Sequence, residues 1–89
     1  MQNPEVESRL KNVEGHVRGI QRMVGEDAYC IDVMHQIQAV QAALNKVKQM
    51  VLEEHIQSCV ITAVQGDDAD ERERVLREIT QVYEEATKV

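Results

Sequence analysis

The sequence has no tryptophan, no phenylalanine and only two tyrosines in 89 residues. A core stacked from aromatic rings is therefore excluded, and any core is built from Val, Ile, Leu, Met and Ala. Only one proline and four glycines interrupt the chain, too few for a loop-rich or low-complexity protein. Two cysteines cannot staple a multi-disulfide scaffold. In a chain of this character they read as metal-binding, redox or core residues. No apolar run approaches the roughly 20 residues that cross a bilayer, and the polar start MQNPEVESRL does not look like a secretory leader. These absences predict a soluble, cytoplasmic protein with no membrane partner. The length accommodates one domain, 1–89. A domain this short buries a modest core, for which oligomerisation is a common remedy.

The net charge of −6 argues at first against a nucleic-acid partner, but it is unevenly placed. Residues 1–48 carry six Lys/Arg and six Asp/Glu, and residues 49–89 carry four and ten. The stretch 9–22 holds Arg9, Lys11, Arg18 and Arg22 against Glu14 alone. A basic surface can thus exist on an acidic protein, although a solvated helix face is the simpler reading.

Periodicity predicts three helices and no strand. Asn3-Pro4-Glu5 is a helix start, and Val6, Leu10, Val13, Val17, Ile20 and Val24 recur at helical spacing up to Gly25, a C-terminal cap. Gly15 and Gly19 share a face that could admit DNA or, more simply, a neighbouring helix. Between Ile31 and Gln65 there is no Gly or Pro, and Ile37, Val40, Leu44, Val47 and Val51 form a coiled-coil-like seam on one long helix. Gly66-Asp67-Asp68 breaks it. Asp70 with Glu73 reads as a capping box for a third helix carrying Val75, Leu76, Ile79, Val82, Tyr83 and Ala86.

His55 and Cys59 stand four apart on the long helix, so their side chains are neighbours. An imidazole with a thiolate suits soft or borderline ions such as Cu(I) and Zn(II). Cys30, the other cysteine, begins the same helix. Twenty-five residues of helix would set it roughly 38 Å from His55, so the three cannot meet within one chain. They meet if two chains pair antiparallel with the crossing near Ala43 or Leu44, at the centre of the seam. Symmetry then makes two sites, each with Cys30 from one chain and His55 and Cys59 from the other. The plainer reading keeps both thiols as small buried hydrophobes. His16 and His35 have no thiol at helical spacing and are not read as ligands, though His16 lies among the basic residues and could touch phosphate.

Arg9-Leu10, the run from Val13 to Val24, the run from Cys30 to Val40, and His55 to Cys59 followed by Val60 together resemble the copper-sensitive operon repressor family over nearly the whole chain. The sequence departs from the family at His16, where Gln is usual. The resemblance implies a three-helix, all-α subunit with one long central helix. It also implies an antiparallel homodimer, a four-helix-bundle-like dimer of dimers (a homotetramer), and an operator-binding repressor, not an enzyme, without a helix-turn-helix. Within the family the Cys–His–Cys set matches the copper branch. The nickel/cobalt branch has His in place of the last Cys and an added N-terminal His; the sulfur-sensing branch lacks the His; the formaldehyde branch usually lacks the last Cys. Tyr29 matches a position that supports the ligands in copper members, as does a Glu on the third helix, for which Glu71, Glu73 and Glu78 are candidates.

Two thiolates and an imidazole offer Cu(I) a trigonal site, whereas Zn(II) wants a fourth ligand. The metal-free protein is then expected to hold operator DNA through Arg9, Lys11, Arg18 and Arg22 with Lys46 and Lys48. Affinity would be dominated by phosphate contacts, and Cu(I) would release the DNA. The alternatives are a thiol- or persulfide-sensing repressor of the same fold, against which His55 argues, and a non-regulatory copper-binding helical protein.

Overall fold

A computed structural model describes residues 1–87, and every regular element among them is helical. Helix α1 spans Pro4–Gly25 and α2 Cys30–His55; a single π-helical turn, Ile56–Val60, leads into α3, Ile61–Gln65; α4 spans Ala69–Thr87. No helix among the described residues is long and apolar enough to cross a membrane.

The start of α1 is set as the sequence requires. Asn3 Oδ1 accepts from the Glu5 N–H at 3.1 Å and the Val6 N–H at 3.2 Å, and Pro4 occupies the first turn with Glu5 and Glu7. These features satisfy free donors and complement the helix dipole. The helix ends at Gly25, but no glycine takes a positive φ; the left-handed residue is Asp27, at φ 57°. The Ala28 N–H reaches the Met23 carbonyl at 2.9 Å and the Asp27 N–H the Val24 carbonyl at 3.3 Å, which is the Schellman closure. Asp tolerates this conformation better than most residues with a Cβ.

The chain forms two compact units, Met1–Val51 and a second from Leu52 onward. In the first, α1 runs antiparallel to α2. His16 Nε2 hydrogen-bonds Gln36 Oε1 at 2.7 Å, Val13 shares a shallow hollow with Ala43, and Leu10 shares one with Val51. His16 is thus engaged between the two helices. The predicted seam on α2 divides into two rows of seven-residue spacing. Val40 and Val47 are buried, while Ile37, Leu44 and Val51 stay exposed, Leu44 by 43%. Helix α1 divides likewise: Val6 is buried and Val13 and Ile20 are half-buried, whereas Leu10, Val17 and Val24 are exposed. One row of each helix closes the unit and the other is left over.

In the second unit α4 packs on the π turn and α3 around Val75, at 2% exposure the most deeply buried hydrophobic side chain. The predicted capping box of Asp70 with Glu73 gives way to Asp68. Its Oδ1 accepts from the Asp70 N–H at 3.0 Å and the Glu71 N–H at 3.2 Å. The helix begins at Ala69, so these two are the donors that a residue before it can reach. The predicted long helix does run without interruption over 30–65, but one turn is widened: the Ile61 N–H bonds to the Ile56 carbonyl. Two hydroxyls bond back into this stretch, Ser58 Oγ to the Glu54 carbonyl at 2.7 Å and Thr62 Oγ1 to the Ser58 carbonyl at 3.0 Å. Such back-bonding bends and loosens a helix.

Replacing Asn3 with Ala removes the side-chain acceptor at the start of α1, and is expected to lower unfolding stability by about 1 kcal/mol. Chemical denaturation of the two proteins side by side measures it.

Candidate metal centre and nucleic-acid face

His55 closes α2 and Cys59 sits in the π turn, and both line one open cavity of about 580 Å³ whose far wall is α4. Single π turns inside α-helices recur at functional sites. The Cys59 thiol is exposed and free, with Ser58 Oγ 3.6 Å from its Sγ. Across the cavity Glu78 Oε2 stands 3.7 Å from His55 Nε2, an ion pair when the imidazole is protonated. A carboxylate facing one ring nitrogen fixes ring orientation and leaves the other nitrogen for a ligand.

The three glutamates considered as supporting residues part company. Glu78 reaches His55. Glu71 lines the same cavity but is gripped by Arg74 through two contacts, Nη2 to Oε1 at 2.5 Å and Nε to Oε2 at 3.2 Å. Glu73 is paired with Arg77 at 2.7 Å and does not line the cavity. Arg74 also donates to Glu78 Oε1 at 2.6 Å, so one guanidinium holds two of the four carboxylates that line the cavity, the others being Asp67 and Asp68. Sequence reasoning passed over Arg74. Its signal was there in Glu71, Arg74 and Glu78, acids three before and four after a base on one helix face.

Cys30 and Tyr29 belong to the other unit. Cys30 is the first residue of α2 and Tyr29, two-thirds exposed, precedes it; the Cys30 thiol is exposed and free. Among the described residues no three His, Cys, Asp or Glu side chains of one chain gather into a group that could hold a metal. The donor chemistry nevertheless fits a soft ion, since two thiols and an imidazole are the ligands that Cu(I) accepts in a three-coordinate site.

The candidate DNA contacts are exposed but do not share one face. At 3.6 residues per turn, Lys11, Arg18 and Arg22 fall within about 40° of one another on α1, with Gly15 and Gly19 alongside. Arg9 lies on another side, where it lines the hollow with His16 and Ala43. Lys46 and Lys48 diverge on α2. Arg9, Lys11 and Arg18 pair with Glu5, Glu7 and Glu14 at 3.6, 3.9 and 3.4 Å, exposed contacts that are worth little. A Cβ added at Gly15 would meet nothing within 4 Å, and one at Gly19 would meet only the Arg22 side chain. The two glycines therefore make no close helix–helix contact within the described chain, and the surface beside the three bases is smooth and open.

Arg74 acts on Glu71 first through its hydrogen bond and then through its charge, holding the carboxyl below its ordinary value of 4.5. A carboxyl whose pKa is lower folded than unfolded stabilises the fold above the unfolded value, and that contribution is lost as pH falls through the folded one. Comparing the melting temperatures of wild type and Glu71→Gln from pH 7 to pH 3 should show an advantage for wild type that shrinks below about pH 4.5.

A family model described as metal-sensitive transcriptional repressor matches residues 2–86. The chain is similar to the copper-sensing transcriptional repressor CsoR of Bacillus subtilis (strain 168), at 43% identity over 84 residues, 94% of this chain and 80% of that one. It is also similar to the copper-sensing transcriptional repressor RicR of Mycobacterium tuberculosis (strain ATCC 25618 / H37Rv), at 57% over 56 residues, 63% of this chain and 58% of that one. Relatives named CsoR from Mycobacterium bovis and Mycobacterium tuberculosis match at 51% over 57 residues, 64% of this chain, which spans about half their length, 48%. Among solved structures, the copper-sensing repressor CsoR with Cu(I) from Geobacillus thermodenitrificans NG80-2 superposes with a TM-score of 0.86 at 39% identity, covering 99% of this chain and 93% of that one. The nickel-responsive transcriptional regulator InrS superposes at 0.78 with 29% identity, covering 93% of each chain.

Proposed function

This chain belongs to the family of metal-sensitive transcriptional repressors, and from that premise we propose that it is a Cu(I)-responsive repressor that binds operator DNA when metal-free and releases it when Cu(I) binds between subunits. The nickel-responsive neighbour means that family membership does not name the metal, so the donor set must. Cys30 and Cys59 would supply two thiolates and His55 an imidazole, the soft three-donor set that Cu(I) accepts.

One observation carries the intersubunit reading: the exposed row Ile37, Leu44, Val51 on α2. Leu44 is its middle member. An antiparallel partner centred there brings one subunit's Cys30 opposite the other's His55 and Cys59, by the counting that the seam alone suggested. The companion row Leu10, Val17, Val24 on α1 is also exposed. Leu10 and Val51 line one hollow, so the two rows border a common apolar surface. A patch of this kind on so small a domain marks a protein–protein interface. Pairing of two such dimers into a tetramer, with Tyr29 and Glu78 supporting the ligands, completes the assembly that the family resemblance implies.

Operator binding would rest on Lys11, Arg18 and Arg22 with the open glycine surface beside them, and Arg9, Lys46 and Lys48 would reach phosphates further out. Action on DNA places the protein in the cytoplasm, as a single functional domain over 1–89. Coupling between operator and Cu(I) has opposite sign, with about 1–3 kcal/mol typical of allosteric pairs, so operator must weaken Cu(I) binding by the same factor.

Two experiments test this. His55→Ala should leave operator affinity within about twofold while suppressing Cu(I)-induced release, since about 1.4 kcal/mol corresponds to tenfold and the ligand is lost only from the bound state; gel shifts with and without Cu(I) read it. Normal release by that variant removes the proposal. Leu44→Glu should dissociate the dimer, because each buried Leu contributes about 1.5–3 kcal/mol and a symmetric pair has two. Light scattering reports the mass, and Cu(I) affinity should fall with it.

A further inference from the structure

The packed pair of α1 and α2 has two long edges, and they differ in chemistry. At about 100° per residue, Leu10 and Val17 fall about 40–60° to one side of the inward row Val6, Val13 and Ile20, and Arg9 and His16 fall as far to the other side. On α2, Leu44 and Ala43 divide in the same way about Val40 and Val47. Because the helices run antiparallel, like sides meet. Leu10 shares a hollow with Val51, and Arg9, Asn12 and His16 share one with Ala43. One edge is therefore apolar and carries the rows proposed for pairing with a second copy. The other is polar and lies away from that pairing.

The polar hollow holds about 170 Å³, and its donors come from one side of α1. Arg9, Asn12 and His16 are spaced three and four apart, so their side chains stack along the helix. Arg9 and Asn12 are exposed and His16 is half-buried. The Gln36 contact, 2.7 Å from Nε2, fixes where the His16 ring stands. A carboxamide pairs with that nitrogen in either tautomer, including the one that leaves a proton on Nδ1. Lys46 lies one turn beyond Ala43 on α2, on the same edge and toward the Arg9 end. Of the acids on this edge, Glu5 meets Arg9 at 3.6 Å with both side chains largely in solvent, a contact worth little. Asp32 lies one turn before Gln36, at the far end from Arg9.

A guanidinium, a carboxamide N–H and an imidazole N–H around one small concave space are donors of the kind that proteins aim at phosphate oxygens. Between this edge and the stripe of Lys11, Arg18 and Arg22, the outer face of α1 carries only Ser8, Gly15 and Gly19. No long side chain stands between the two groups of bases. We propose that the polar edge is a second DNA-contact site, in which Arg9, Asn12 and His16 clasp one backbone phosphate of the operator while Lys11, Arg18 and Arg22 meet others across the smooth strip. The occupant is the DNA backbone and not free phosphate, because the strip joins the hollow to a line of bases far longer than one ion. The inference rests on the operator-binding reading above. It adds Asn12 and His16, donors that are not fixed cations and that hold the phosphate against Arg9.

The test uses the full-length, metal-free protein and a fluorescent duplex from immediately upstream of its own coding sequence. Anisotropy titrations at several salt concentrations compare wild type with Arg9→Gln, Asn12→Ala, His16→Ala, His16→Gln and Arg18→Gln. Circular dichroism and light scattering check fold and mass, and Cu(I) affinity should match wild type in each. Arg9→Gln should weaken binding about tenfold and flatten the slope of log K against log salt by about 0.9 for each copy that meets a phosphate. Asn12→Ala and His16→Ala should each weaken binding by about three- to tenfold. The Asn12→Ala slope should match wild type, since an amide releases no counterion. His16→Gln keeps an N–H donor and should recover most of the loss. If Arg18→Gln weakens binding but the Arg9, Asn12 and His16 variants bind as wild type does, the inference is overturned and the operator reading stands. The inference is also overturned if inorganic phosphate at constant ionic strength displaces the duplex from wild type but not from Arg9→Gln, for the hollow is then a free-phosphate site. If wild type binds neither this duplex nor an unrelated one at low salt, the operator reading itself falls and takes this one with it.

Discussion

Everything else in this molecule depends on a constraint of helix packing. Each of the first two helices carries two apolar rows of seven-residue spacing, and two helices packed together can cover only one row apiece. Val6, Val40 and Val47 are buried in this way, while Leu10, Val17, Val24, Ile37, Leu44 and Val51 remain in solvent. The hydrophobic effect acts on the uncovered rows as strongly as on the covered ones. These exposed rows are what the proposed pairing with a second chain would cover.

The uncovered rows also bear on the proposed sensor, whose three donors do not gather within the described residues of one chain. The two thiols lie in different units of the chain, one opening α2 and the other in the widened turn after it. In the proposed sensor, ligand binding would report on subunit arrangement, because the donor set would be complete only in the pair. Regulation by coupling of this kind needs no large movement within a subunit. It needs only that metal and operator favour different arrangements of the same helices.

The cavity beside His55 is ordered by charge. Arg74 holds Glu71 and Glu78 in a fixed order, and Glu78 in turn faces His55. Glu78 thus reaches the imidazole from α4, and the π turn places Cys59 on the same cavity wall as His55.

Helix number, the start of α1, the heptad seam and the ligand candidates were all legible from periodicity and residue type, because these depend on contacts a few residues apart. The antiparallel pairing proposed above rests on the ligand spacing and the centre of the seam. Which row of the seam faces inward was not legible, since both rows are equally apolar and only packing against α1 distinguishes Val40 from Leu44. Nor was it legible that Glu78 and not Glu73 faces His55, or that Arg74 holds Glu71 and Glu78, because these turn on which side of α4 meets the π turn. The widened turn itself hangs on a local balance of hydroxyl back-bonds that spacing does not reveal. The sequence by itself determined the helices and the residue types they carry; the tertiary structure alone decided which faces are spent on the fold and which stay exposed, because burial is a property of neighbours brought together from distant parts of the chain.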